Sequence, residues 1–516
     1  MHPVDQHPFE PDARFDGGSL DCGNGLLLLI RKHIDPLAPG QLLEILSTEQ
    51  SVEEDLPAWC RLTGNELVSW RRHGEQRGFL VCKGALAGRV PGERPAPVRM
   101  VPLPDRKPVW IPPTLPEPAP ATEIPPLAVM GIGSWPRPRW MLRAIHDHLE
   151  GRLAEEEFQA TAEDAVRLAL EAQLRAGVDV VTDGEQRRDS YASFVGGLLD
   201  NCLLVPLTDL LPLVEDPEEF ERELRALDVP ASEVRHPAVL GPLGRSRPLA
   251  VHELEFARSL TDKPVKIALP GPYLLTRTMW MECLSDRVYS SREALAEDVI
   301  RVLREELHFL LAAGATLVQL DEPVLSEAAF GGPQKSRTFM CGALSEKKDV
   351  EAELAFALDL INRLVAGIPP SRTALHICRG NWTSDESAFL SGDYRPLLPL
   401  LRSVCVGTLF LEFCTPRAGE LEVLRDLPAS FQIGVGVVNP KQQRIEPVEE
   451  ILSKAREAIR IFGAGRVLLT PDCGFATFAD NPVCAAAVAE GKLRSVVQAA
   501  QILRQEHRQE LRVSVE

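Results

Sequence analysis

The sequence predicts an α/β protein: a (β/α)8 TIM barrel preceded by a small α+β unit. Three observations lead there. Beyond residue 126, eight short apolar runs alternate with helix-length segments, and continuous apolar runs are how parallel strands buried on both faces read. Side chains able to do chemistry fall repeatedly at the C-terminal ends of those runs, where barrels of this architecture carry their sites. Between residues 85 and 126, 13 prolines fall in 42 residues, a composition break that separates the barrel from what precedes it.

Taken in order, residues 12–84 read as the α+β unit. An extended start (13–16) leads into an amphipathic helix (25–33), a strand (41–46) and a helix with an acidic start (51–62). A hairpin-like pair, 66–70 and 78–83, closes the unit. Residues 85–126 are too proline-rich to hold a helix and read as an extended, semi-rigid linker. The barrel occupies 127–510, with strands expected at 127–133, 178–182, 265–269, 315–320, 373–377, 408–413, 432–438 and 466–470. Helical periodicity separates several of them, at 155–176, 291–313, 352–366 and 447–462. Residues 187–260 form an insertion after the second strand, with a helix expected at 216–226, where Pro217 suits a first helical position.

Bulk properties narrow the function. At 516 residues and a net charge of −18, the chain can bury a large core but lacks the basic surface that nucleic acids require. No run approaches the roughly 20 apolar residues of a membrane span. The first residues lack the basic and apolar regions of a signal peptide, so a cytoplasmic location is expected. There the 11 cysteines serve as thiols or ligands rather than disulfides.

The N-terminal unit resembles the TusA-type sulfur carriers. The resemblance rests on Phe15-Asp-Gly-Gly-Ser-Leu-Asp-Cys22, Pro39-Gly-Gln-Leu-Leu-Glu-Ile-Leu46 and Asp55-Leu-Pro-Ala-Trp-Cys60-Arg-Leu-Thr-Gly64. It implies that Cys22 carries a persulfide, with a sulfurtransferase or cysteine desulfurase as partner. A thiol just before a helix start meets free N–H groups and the positive dipole end, which favour thiolate. The family's Cys-Pro-x-Pro is not kept: Gly23 and Gly25 replace both prolines. An inert Cys22 in a relic unit is the competing reading, and Cys60, on an apolar helix face, reads as core.

In the barrel, Thr373-Ala-Leu-His376-Ile-Cys378 places an imidazole and a thiol two residues apart, hence on one side of a strand. Two later runs end in Glu412 and Cys473. Each residue alone reads as strand-end packing or a polar rim, but together they form a donor set suited to Zn²⁺. A free thiol, with a pKa of about 8.5, is mostly protonated at neutral pH, and binding to Zn²⁺ deprotonates it. The expectation is therefore a zinc enzyme that activates a thiol.

From about Val129 onward the chain resembles the catalytic barrel of the cobalamin-independent methionine synthases. It is most similar to their short branch, which lacks the additional N-terminal barrel and includes thiol alkyltransferases acting on coenzyme M. The motifs are Ile132-Gly-Ser134, Asp183-Gly-Glu185, Asp321-Glu-Pro323, His376-Ile-Cys-Arg-Gly-Asn381, Phe410-Leu-Glu-Phe413 and Pro471-Asp-Cys-Gly-Phe475. The resemblance implies that His376, Cys378, Glu412 and Cys473 hold zinc. It also implies that Glu185 and Asp321 bind the amine of homocysteine, while the Ile132, Gly133 and Ser134 backbone takes its carboxylate. Solvated loop acids paired with Arg187 and Arg188 are the alternative for Glu185 and Asp321. Glu412 is the expected exchangeable ligand.

Where the long synthases carry a histidine thought to protonate the departing amine, this sequence has Lys441. A pterin amine leaves only with a proton, which lysine can supply. The implied reaction is methyl transfer to a thiol, homocysteine above others, from 5-methyltetrahydrofolate or another methyl carrier. Trp280 is a candidate platform for a pterin or else core. Alkyl transfer to or from another thiol such as coenzyme M, and relay of persulfide sulfur from Cys22 to a zinc barrel, are the alternatives.

Overall fold

The computed structural model of the chain describes residues 3–18, 26–34, 37–86, 108–120, 122–206, 235–280, 285, 288–330, 349–380, 390–479 and 482–513. The N-terminal sheet comprises β1 (Ala13–Asp16), β2 (Leu42–Ser47), β3 (Glu66–His73) and β4 (Gln76–Cys82), in the order β1-β2-β4-β3. Helix Leu27–Ile34 makes the crossover that the parallel β1–β2 pair needs, and helix Val52–Leu62 leads into an antiparallel β3–β4 hairpin. Strand period decides the layers. Ala13 and Phe15, Leu43 and Ile45, and Phe79 and Val81 share one face and bury against Leu26, Ile30 and Leu56. Cys60 sits in that core, as expected, and burial pushes its thiol up to about 12. Residues 19–25, and Cys22 with them, lie outside the described residues.

The larger sheet contains β7 (Lys266–Pro270), β8 (Leu317–Asp321), β9 (Thr373–Ile377), β10 (Thr408–Leu411), β11 (Gln432–Val438) and β12 (Val467–Pro471), in sequential order with every neighbour parallel. The first two expected runs pair only through single parallel bridges. Val129 meets Leu469, Met130 meets Val180, and Val181 meets Val265. A continuous path of parallel pairing therefore runs from β12 back to β7.

Alternation along these strands sorts their side chains into two populations. Ile267, Leu269, Val318, Leu320, Leu375, Leu409, Ile433 and Leu469 pack outward in the main core with the helices. Met130, Val180, Leu317, Ala374, Phe410 and Leu468 pack on the opposite face in a small cluster of their own. The helices match the periodicity closely. Helix Glu155–Ala176 begins with three glutamates at the positive dipole end and stops at Gly177, whose φ of 88° suits a residue without Cβ. Helix Arg292–Ala312 is capped by Ser291, which accepts from the Ala294 N–H, and helix Val350–Val365 by Asp349 in the same way.

The described part of the proline-rich stretch lies on the larger unit: Ala119 N–H donates to Leu311 (3.0 Å), Arg372 donates to Ala119 (2.7 Å), and Trp110 meets Phe309. Proline has no backbone N–H but keeps its carbonyl, and the carbonyls of Pro116 and Ala119 meet His308 and Arg372 of the larger unit. The insertion forms a hairpin, β5 (Asp200–Pro206) with β6 (Arg235–Gly244), while the expected helix at 216–226 lies outside the described residues. Val205 and Ala238 of that hairpin, with Leu390 and Phe478, join the apolar core of the N-terminal unit. Among the described residues, no helix is long and apolar enough to cross a membrane.

Candidate metal and thiol site

β9 ends by placing His376 and Cys378 on the inner face, two residues apart, and both are buried. Glu412 follows β10 and Cys473 follows β12. One donor atom from each of Cys378, Glu412 and Cys473 lies within 4.8 Å of the others. The two sulfurs stand 3.4 Å apart. Each feels the other: hydrogen bonding between them, with burial opposing, holds Cys473 well below the usual thiol range. The same contact pushes Cys378 well above it. Two thiolates at this distance repel strongly in a buried site, and a divalent cation between them would offset that repulsion.

His376 completes the case for a metal. Its Nδ1 meets Asp321 Oδ1 at 2.9 Å, while its Nε2 is buried without a hydrogen-bond partner. An imidazole tied through one nitrogen to a carboxylate and left open at the other is the usual posture of a metal ligand. Burial opposes charge on this ring, but Asp321 and Cys473 prevail and push it up to about 10. The donors present, one nitrogen, two sulfurs and one carboxylate, fit Zn²⁺ better than a hard cation.

A cleft of about 450 Å³ opens beside these groups, lined by Ile132, Ser134, Glu185, Asp321, His376, Cys378 and Cys473 among others. Glu185 is 4% exposed and adopts φ 54°, a left-handed conformation costly for any residue but glycine. Gly133 allows it to come close, because a Cβ at 133 would sit 2.0 Å from Glu185 Oε1. Burial, reinforced by Asp321 and Asp183 and opposed by Arg188 and Arg137, pushes Glu185 up to about 7. Neither expected arginine pairs with it: Arg187 donates to Gln159, and Arg188 is locked to Glu253 at 2.6 Å. Arg137 instead clamps the surrounding loops by donating to the carbonyls of Glu185, Arg188 and Ala476.

Asp321 uses Oδ1 twice, accepting from His376 and from Gln319 Nε2 (2.6 Å). Glu322 points the other way, accepting from Tyr273 N–H and Leu274 N–H at 2.8 and 2.9 Å. Ser134 Oγ accepts from Ala476 N–H, tying the 132–134 segment to the Cys473 loop.

Lys441 sits beside Cys473 and Glu412, lining a second, small pocket with Asp472 and Asn439. It is buried, and its Nζ donates to the Gly380 carbonyl. Burial lowers it to about 8 although Glu412, Cys378 and Cys473 pull the other way. Trp280 does not line either cavity; it packs against the main core. Tyr191 and Thr477 also line the cleft, and Gln319 and Lys266 stand behind Asp321; in the sequence the latter two each appear as a lone polar residue inside an apolar run.

Residues 127–209 and 225–501 match the family described as the catalytic domain of the cobalamin-independent synthase. The chain belongs to that family. Among curated relatives, the methionine synthase of Saccharolobus solfataricus is 26% identical over 387 residues, covering 75% of this chain and 97% of that protein. The methionine synthase of Sulfurisphaera tokodaii is 27% identical over 385 residues, covering 74% and 94%. The fold is similar to that of a B12-independent methionine synthase from Shewanella sp. W3-18-1, solved in complex with selenomethionine. That comparison has a TM-score of 0.55 at 24% identity, covering 74% of this chain and 98% of that one. The family match starts at residue 127, so the N-terminal sheet lies outside it.

Proposed function

We propose that this protein is a zinc-dependent S-methyltransferase that methylates homocysteine to methionine, with 5-methyltetrahydrofolate or another methyl carrier as donor. The observation that carries the reading is the convergence of Cys378, Glu412 and Cys473, with His376 next to Cys473, beside a cleft lined by two carboxylates. Zinc held by these four residues would bind the substrate thiol as a thiolate, the nucleophilic form.

The chain's own groups do the rest. Glu185 and Asp321 face the homocysteine ammonium, and the 132–134 backbone takes its carboxylate. Glu412 would be the exchangeable one of the residues holding zinc; its Oε1 accepts from the Arg379 N–H at 3.0 Å, a partner for the carboxylate besides the metal. Lys441 delivers a proton to the departing amine of the donor. A sulfonate acceptor such as coenzyme M fits less well, because among the described residues no arginine or lysine lines the cleft.

The strands from Val129 to Pro471 are read as a closed (β/α)8 barrel over residues 127–510, supported by the three parallel bridges that join β12 to β7. Residues 12–84 are read as a TusA-like unit with Cys22 as its carrier thiol, supported by the βαβαββ order and the quoted motifs; residues 85–126 connect the two. The deciding experiment measures zinc stoichiometry and then methionine formation from homocysteine, coenzyme M and small thiols. Homocysteine as the preferred acceptor of a one-zinc protein is expected. Material that binds no stoichiometric zinc, or prefers a sulfonate thiol, sinks the reading.

A further inference from the structure

Lys266 stands on β7 with its side chain fully buried inside the ring of strands. Its ammonium donates to the Ile132 carbonyl (2.6 Å) and to Gln319 Oε1, and lies 4.6 Å from the centre of the Phe410 ring. Among the described residues, no carboxylate makes an ion pair with it. Burying an amine without a contacting counter-ion destabilises a core relative to an apolar side chain of similar size. Stability of the core does not account for it.

Its connections do. Gln319 turns its amide oxygen to Lys266 Nζ and its amide nitrogen to Asp321, whose carboxylate oxygen accepts. Gln319 is itself fully buried and donates to Asp321 Oδ1 at 2.6 Å. That same oxygen receives His376 Nδ1 at 2.9 Å, leaving Nε2 as the nitrogen without a partner. The chain Lys266–Gln319–Asp321–His376 crosses β7, β8 and β9, whose register sets Ala268 beside Gln319 and Asp321 beside His376. At its other end, the Lys266 contact with Ile132 fixes the segment proposed for the substrate carboxylate.

We propose that Lys266 and Gln319 are positioning residues for the metal centre: they orient Asp321, and through it hold His376 with Nε2 presented to the ion. The proposal rests on the zinc reading given above. Gln319 makes the contact with Asp321, and Lys266 prevents the amide from flipping to present its oxygen instead. With the amide flipped, Asp321 would face a carbonyl oxygen rather than a donor.

The test uses the full-length protein, Lys266→Met, Gln319→Leu and His376→Ala, with zinc alone titrated in competition with a chromogenic chelator. Cobalt substitution reports the ligand field, and thermal unfolding of the zinc-free forms reports the fold. Loss of zinc affinity of about 10–100-fold in both Lys266→Met and Gln319→Leu, with altered cobalt bands and a folded zinc-free chain, is expected. Unchanged zinc affinity in both variants overturns the proposal. So does unfolding of both zinc-free variants, since the pair would then be structural. If the unmodified protein binds no zinc, the zinc reading itself fails, an outcome distinct from either of these.

Discussion

Glu185 shows how much one carboxylate can be asked to do. It is buried, carries a left-handed backbone and sits over a glycine that leaves room for it. If it pairs with a substrate ammonium, Glu185→Gln should weaken homocysteine binding by about 2 kcal/mol or more, roughly 30-fold, with zinc content unchanged. Calorimetry of the zinc form checks this. Gly133→Ala should act similarly, because the new methyl displaces the same carboxylate. The pH profile follows with a definite sign. Glu185 sits at about 7 and must be ionised to hold the ammonium, so affinity falls as pH drops through that region. Lys441 sits at about 8 and must be protonated to deliver a proton, so turnover falls as pH rises past it. A bell-shaped kcat/KM is expected, with the alkaline limb removed in Lys441→Met. A profile flat from pH 6 to 9 contradicts both roles.

At the scale of elements, helix and strand limits are set by local rules, and the site exploits their ends. β8 finishes with Asp321 facing inward and Glu322 outward, as neighbours on a strand must. Glu322 closes the first turn of helix Pro272–Met279 by accepting two of its free N–H groups. Glu322→Ala should therefore cost about 1–3 kcal/mol of stability, read from denaturant unfolding, while leaving His376, Cys378, Glu412 and Cys473 in place. The first two expected strands, at 127–133 and 178–182, were legible as apolar runs, but not that they pair only through three single bridges. Run length reports burial, whereas ladder length depends on how neighbouring strands tilt and stagger.

For the whole molecule, the N-terminal unit and the larger unit share one apolar cluster through Val205, Ala238, Leu390 and Phe478. Phe478 also meets Tyr191 edge-on at 6.2 Å, and Tyr191 lines the cleft. Phe478→Ala should remove about 3–5 kcal/mol and expose the N-terminal unit to proteolysis. It should also raise KM for the thiol as Tyr191 loses its support. Independent unfolding of the two units in the unmodified chain would contradict this coupling.

By itself the sequence determined the strand–helix alternation, the helix limits at 155–176 and 447–462, and the residue types that fit zinc. Hydrophobic period and donor chemistry are properties of short segments and survive without knowledge of the fold. Only the tertiary structure decided which groups meet. It turned Arg188 to Glu253 rather than Glu185, gave Asp321 to His376 as well as to the cleft, and laid residues 108–120 against the helix Arg292–Ala312. It also joined Lys266 through Gln319 and Asp321 to His376. Those outcomes depend on register and inter-strand geometry between residues up to hundreds of positions apart, which no local pattern encodes.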